Sequence, residues 1–346
     1  MRSDPPTSSS RGLVTMRDVA AVAGVSISTV SKTLNGTGRV SAEARRRIVA
    51  AAERLEYRPN LLAQNFALGK SFTVGILTTK AAGLFAVPVI TGVVSALGRH
   101  DTAVIVYDDG GDPRLRPRNV RKLQARRVDG IVVVGDGTDV SCASVTPAFS
   151  VPVVYALALS DDPGDSMLLP DDRLAGILAA QHLLGLGRRR VAHVTGAVSS
   201  RAVAERLGGL REGLGAGDAD LVGPVRYGDW SRSWGETAGH SLDPSAIDAV
   251  FCGNDFIAIG VAGALMSRGI RVPEDVAIVG YDHWSKVAEQ DRFLTSVDPL
   301  LSELGERAGE LLLAAGGGGV ELRPVQLVPG YSTGTPAGPS VPYVAL

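Results

Sequence analysis

The residues whose types and spacing point most directly to chemistry are Ile27, Ser28, Thr29 and Lys32, grouped near the start of a short helical run. A lysine ammonium can donate to guanine O6 or N7, hydroxyls can donate or accept at base edges, and an isoleucine can cover a thymine methyl. In the second helix of a helix-turn-helix, side chains so placed enter the major groove. Spacing alone also allows an ordinary three-helix bundle with a polar face.

The elements that must position these groups are legible around them. Met16, Val19, Ala20 and Ala23 recur at helical spacing, Gly24, Val25 and Ser26 interrupt, and Val30 and Leu34 resume the pattern. Gly24 suits a helix C-terminus that needs positive φ, and Ser26 can cap the next helix. A third helix starts at Ser41, with Ala42 and Glu43 in its first turn. Ile48, Ala51, Ala52 and Leu55 can pack back on the first two, which leaves Arg45, Arg46 and Arg47 open to solvent or phosphate. After Tyr57, Arg58, Pro59 and Asn60 break the pattern, Leu61 to Leu68 can form one short helix ahead of Gly69. An octamer is too short to hold helix alone in water, so it needs a partner.

Charge divides the chain at the same place. Residues 1–70 carry 11 Lys/Arg against 5 Asp/Glu, a net of +6, and the remainder carries 24 against 31, a net of −7. A basic head on an acidic body implies that the head meets a polyanion and the body has another task. At 346 residues the chain has room for two or three domains, and 45% hydrophobic with 21% charged residues is the composition of a folded globular protein.

Several classes are disfavoured. Cys142 and Cys252, 110 positions apart, make neither a disulfide framework nor a metal-ligand spacing, which fits a reducing, cytoplasmic location. The opening residues 1–13 hold no apolar run and read as a disordered tail, so export is not expected. The uncharged stretches 81–98 and 140–160 contain proline and small polar residues and read as interior pieces rather than membrane spans. His100, His182, His193, His240 and His283 are scattered, with no helical metal pair and no nucleophile elbow. Gly69-Lys70-Ser71 imitates the end of a phosphate-binding loop, but Gln64 stands where the earlier glycine belongs. No catalysis, metal or cofactor is expected.

From Phe72 onward, strand-like runs alternate with helical ones: TVGIL, residues 89–99, TAVIVY, 115–125, GIVVV and PVVYALA. A second series follows with 174–184, VAHVTG, 202–214, AVFCG, 257–267 and VAIVGYD. This is the βαβ signature of parallel sheets, and it predicts two doubly wound lobes with a ligand cleft at their carboxyl strand ends.

The stretch VTMRDVAAVAGVSISTVSKTLNG, followed by VS and by RLEYRPNLLAQNFALGKS, resembles the N-terminal region of the lactose repressor family of bacterial transcription regulators. The body resembles the same family's periplasmic-binding-protein-like sensor through RRVDGIVVV, HLLGLGRRRVAHVTG, AERLGGLREGL, GDW, GNDFIAIGVAGALMSRGIRVPEDVAIVGYD and LTSV. The resemblance implies an all-α helix-turn-helix DNA-binding head at 14–60, a hinge helix at 61–70, a two-lobed α/β effector-binding and dimerisation domain at 71–335 and a tail at 336–346. It places Ile27, Ser28 and Lys32 at base edges with Thr29 beside them and Arg39 in the following turn. Thr15, Asn35, Ser41 and Asn60 fall at phosphate positions, and Phe66 at the minor-groove wedge, where the family usually has leucine. Asp171, Arg206, Trp230, Asn254 and Asp282 take effector-cleft positions, with Asp298 and Leu300 near others. The implied partners are double-stranded operator DNA, a small-molecule effector, a sugar or sugar derivative, and a second copy in a homodimer, with no membrane involved.

Two departures bear on the ligand. Where the family has an Asn-Pro-Phe-Phe stretch, this chain reads Lys80 to Phe85 and keeps only Phe85, and Gly330 stands where many members have arginine. The tail from Thr335 shows no leucine heptad, so a tetramerising coiled coil is not expected. A carbohydrate sensor without specific DNA binding, or an enzyme built on the same lobes, remains an alternative from another class.

Overall fold

The computed structural model describes residues 14–58, 69–137, 141–284, 293–314 and 316–334. Its contacts divide the chain into two compact units, Met1–Lys70 and Ser71–Leu346.

In the first unit, helices Met16–Ala23, Ile27–Leu34 and Ala42–Arg54 form the expected three-helix head. Gly24 has φ 65° and returns its N–H to the Ala20 carbonyl, so the chain turns where a side chain would be strained. Ser26 Oγ accepts the Thr29 N–H at 3.2 Å and Ser41 Oγ accepts that of Ala44 at 3.3 Å, which starts the second and third helices. Val19, Ala20, Ala23, Val30, Ile48 and Ala51 form the core, with Leu34, Ala52 and Leu55 partly buried around it. The proposed hinge octamer, with Asn60 and Phe66, lies outside the described residues.

The second unit contains two lobes. In the first, strands run in the order Gly319–Arg323, Ser166–Pro170, Val153–Ala156, Gly130–Val134, Thr73–Thr78, Ala103–Asp108, all parallel. In the second, Arg226–Tyr227, Arg190–Thr195, Ala249–Cys252, Ala277–Tyr281 and Thr295–Asp298 are parallel and Gln326–Val328 closes the edge antiparallel, with Ser296 opposite Val328. The chain passes between lobes at residue 171, at 299–300 and at 324–325. Helix Leu301–Leu313 and strand Gly319–Arg323 therefore complete the first lobe from the far end of the sequence. Nothing local tells this C-terminal segment which sheet to join, so periodicity alone does not assign it to the first lobe.

Each lobe is covered by closely packed helix pairs. In the second lobe, a Cβ at Gly176 of helix Asp172–Gly185 would collide with the Arg206 carbonyl, and one at Gly209 of helix Arg201–Gly215 with the Arg173 carbonyl. This backbone approach carries Arg206 to its place in the site below.

His193 shows the dryness of the second lobe's interior. It is 1% exposed, stacks on Phe251 at 5.2 Å, and pairs Nδ1 with the Phe251 carbonyl at 2.9 Å, while Nε2 has no partner among the described residues. Burial lowers its pKa to about 4 against the opposing Phe251 hydrogen bond. The unfolded chain takes up a proton near pH 6.5 and the folded one does not, so the neutral ring costs nothing above pH 6.5 and becomes a growing liability below it. Relative to His193→Gln, the wild type should lose roughly 3 kcal/mol of unfolding free energy between pH 6.5 and 4. Parallel pH profiles of urea unfolding for the two proteins would contradict this.

Candidate functional site

In the head, Ile27 is 44% exposed, and Ser28, Lys32 and Arg39 are exposed with it. The opposite face of the same helix buries Val30 and Thr33, so the set expected at base edges is held outward by packing. Ser26 Oγ lies 2.9 Å from Ser28 Oγ and 2.8 Å from Thr29 Oγ1, a hydroxyl cluster at the helix N-terminus that fixes these short side chains. Lys32 reaches alongside the turn at Gly38, whose φ of 78° and missing side chain let the chain pass its aliphatic stem. First-turn amides with the helix dipole behind them suit a phosphate.

Three residues expected at phosphates are already engaged. Thr15 donates both its N–H and its hydroxyl to Asp18 Oδ2, at 2.8 and 2.7 Å, and these bonds hold the Asp18 carboxyl below its usual pKa. Its hydroxyl proton must leave Asp18 to meet a phosphate. Asn35 donates its side-chain amide to Ser31 Oγ at 3.3 Å, and Ser41 serves as the third helix's cap.

In the body, a cavity of about 310 Å³ opens between the lobes, at the carboxyl ends of their strands. Phe85, Arg206, Trp230, Asn254 and Asp282 all line it, as the family resemblance implies. Arg206 is its centre. The guanidinium is buried, donates Nε to Asp172 Oδ1 at 2.8 Å and Nη1 to the Gly253 carbonyl at 2.6 Å, and lies 3.4 Å from the Tyr281 ring centroid. Burial alone would lower its pKa, but the Asp172 carboxylate and its neighbours raise it further, so Arg206 is a permanent cation.

Trp230 is seated by Gly196, where a Cβ would strike the indole, and its ring lies 5.8 Å from the Arg206 guanidinium carbon. Asn254 accepts the Ile257 N–H at 2.9 Å and donates to the Trp230 carbonyl at 3.2 Å. It is therefore a helix cap and a brace for the cleft at once. Asp282 stands at φ 100°, a conformation that side chains rarely adopt, at the end of strand Ala277–Tyr281. Burial drives its carboxyl pKa well up, against the pull of Arg206. A protonated carboxyl can donate as well as accept a hydrogen bond. Phe85 comes from the other lobe, with its ring 5.1 Å from that of Trp284, which also lies 6.4 Å from Phe256.

Asp171 and Asp298 are not among the residues lining this cavity, and each has a bond where the chain changes lobes. Asp171 Oδ1 accepts the Leu174 N–H at 2.9 Å and its own N–H bonds to the Arg323 carbonyl, which ties two crossings together. Asp298 Oδ1 accepts the N–H of Leu300, a residue at φ 52°, at 2.9 Å. The carboxylate that reaches Arg206 belongs to Asp172. In the pair Asp171-Asp172 the first is the natural cap for the helix that follows, and that local rule would have assigned the two correctly. Tyr281, Phe256 and Asp136 also line the cavity and were missed, since they look like ordinary strand, helix and loop residues.

Together these groups offer a fixed cation, carboxyls, a braced amide and aromatic faces, a set that fits a neutral ligand with several hydroxyls and an apolar face.

Residues 15–60 match the model of bacterial regulatory proteins of the lacI family, and residues 180–334 match a periplasmic binding protein-like domain. The ribose operon repressor of Escherichia coli (strain K12) is 30% identical over 308 residues, which cover 87% of this chain and 92% of that one. The chain belongs to the lacI family. Among other lacI-family relatives, the HTH-type transcriptional repressor PurR of Vibrio atlanticus (strain LGP32) is 29% identical over 87% of this chain and 91% of its own. The Lac repressor dimer bound to operator and the anti-inducer ONPF superposes with a TM-score of 0.74 at 27% identity, covering 93% of this chain and 99% of that one. The transcriptional regulator CelR in complex with cellobiose matches with a TM-score of 0.60 at 29% identity over 92% and 99%. These lacI-family members are regulators of transcription, and the fold expected from sequence, a helix-turn-helix head on a two-lobed periplasmic-binding-protein-like body, is the fold observed. Among the described residues no helix is long and apolar enough to cross a membrane.

Proposed function

We propose that this lacI-family chain is a sequence-specific transcriptional repressor that binds operator DNA as a homodimer and is controlled by a small-molecule effector, a sugar or sugar derivative. The head at 14–60 reads DNA through Ile27, Ser28, Thr29, Lys32 and Arg39, with Thr15, Asn35, Ser41 and Asn60 at phosphates. The segment 61–70 serves as hinge, with Phe66 as its wedge. The domain at 71–335 holds the effector among Phe85, Asp172, Arg206, Trp230, Asn254 and Asp282. The observation that carries this reading is the buried Arg206–Asp172 pair beneath Trp230, a rigid polar and aromatic seat in a cleft between lobes that can close. Its relatives include a ribose operon repressor and a regulator solved with cellobiose, which favours a carbohydrate.

We assign recognition rather than catalysis to the cleft. Asp172 is fixed on Arg206 and Asn254 on the backbone of Trp230 and Ile257, so these groups are braced to hold a ligand.

Lys32→Ala tests the DNA half. On a duplex selected by the full chain from a random-sequence library, it should weaken binding by about 1–3 kcal/mol, with a much smaller loss on an unselected duplex. Equal losses on both would remove Lys32 from base reading, and a library from which the wild type selects nothing would favour the sensor without DNA specificity.

A further inference from the structure

The body is acidic overall, yet residues 113–128 hold seven basic side chains and no acidic one, out of 24 basic residues in the 276 residues of the body. This run contains helix Leu115–Ala125, which buries Asn119, Val120 and Leu123. Arg114, Arg118 and Arg121 follow at spacings of four and three and share the exposed face, an arginine row about 10 Å long. Arg126 and Arg127 extend the exposed charge past the helix end. Some of the run is internally neutralised: Arg116 pairs with Asp109 at 2.5 Å and Arg114 with Asp112 at 2.8 Å, while Lys122 lies over the Tyr107 ring. Arg118, Arg121 and Arg127 have no carboxylate at salt-bridge distance among the described residues.

The location gives this charge a meaning. Asp129, two residues after Arg127, accepts the Ser71 N–H at 3.0 Å and the Phe72 N–H at 2.6 Å. Ser71 is the first residue of the body. The basic run therefore ends where the chain arrives from the DNA-binding head, while the effector cleft lies at the opposite, carboxyl ends of the same strands.

We infer that this face of the first lobe is a second DNA contact, in which Arg118, Arg121 and Arg127 engage backbone phosphates of the duplex. The inference rests on the head binding DNA. Its contribution is independent of sequence, since guanidinium groups on phosphates position a protein without reading bases. An acidic partner protein is the competing occupant, and charge alone fits it; the bond of Asp129, beside Arg127, to the residue by which the chain enters the body favours DNA.

The test is fluorescence anisotropy of the full chain on a 60-bp duplex of random sequence at 50 to 200 mM KCl. Three phosphate contacts contribute up to about 2.7 to the slope of log K against log salt, at ~0.9 each. The variant Arg118→Ala/Arg121→Ala/Arg127→Ala should lower that slope by about 2 and weaken binding at least about tenfold at the lowest salt. Its thermal midpoint should match the wild type, and Arg118→Lys/Arg121→Lys/Arg127→Lys should keep most of the slope. If the alanine variant binds as the wild type does while Arg45→Ala/Arg46→Ala/Arg47→Ala in the head loses affinity, the second contact is refuted and the head's role stands. A loss shared by the lysine variant would also refute it, because charge would not be the cause. If the wild type shows no salt-dependent binding, both readings fall.

Discussion

Arg206→Met should destabilise the protein by about 3–5 kcal/mol, a large part of the stability of a domain. The cost comes less from the lost cation than from Asp172, which is 4% exposed and would remain buried with its counter-ion gone. The Gly253 carbonyl would lose its 2.6 Å donor and the Tyr281 ring the cation stacked on it. The double variant Arg206→Met/Asp172→Leu should regain most of the loss, because an apolar pair of similar volume needs no desolvation. Urea unfolding followed by tryptophan fluorescence reads both. A single variant that costs less than about 1 kcal/mol would mean that water reaches the pair. The double variant should still bind no effector, which separates the residue's part in folding from its part in recognition.

The adjacent glycines of AERLGGLREGL should respond in opposite directions. At Gly209 a Cβ would drive into the Arg173 carbonyl, and at Gly208 it meets only an Arg173 side-chain nitrogen, at 3.2 Å, which can swing aside. Gly208→Ala should therefore be neutral or stabilise by up to about 1 kcal/mol, the ordinary helix-interior gain of alanine over glycine. Gly209→Ala must push helix Arg201–Gly215 off helix Asp172–Gly185, at a cost of about 3 kcal/mol or more. It should also weaken effector binding without touching the cleft, since Arg206 lies one turn earlier on the displaced helix. Equal midpoints for the two variants would contradict the packing described above.

That pair also shows where sequence reasoning stops. Both glycines sit in the same helical run with the same neighbours, and only the partner helix tells them apart. The head was far more legible, because caps and apolar spacing are local: Gly24, Ser26 and Ser41 mark boundaries that the structure reproduces. Helix Leu115–Ala125 and strand Gly130–Val134 match their expected limits for the same reason. Local pattern did not show the return of residues 301–323 to the first lobe, since it is a contact across some two hundred positions; only the family resemblance pointed to a return near Asp298 and Leu300. In the cleft, family resemblance located Arg206, Trp230, Asn254 and Asp282. It pointed to Asp171, which caps the helix, and gave no sign that the adjacent Asp172 is the carboxylate bonded to Arg206.

The coupling of cleft to head is measured most directly by one titration. The full chain is bound to a fluorescent duplex that it has itself selected, and a sugar identified by its thermal stabilisation of the protein is added. The duplex affinity should change by about a hundredfold at saturation, equivalent to ~2.7 kcal/mol of coupling, in either direction. A sugar that raises the thermal midpoint through the cleft yet leaves duplex affinity unchanged at every concentration would show that the two units do not share an equilibrium.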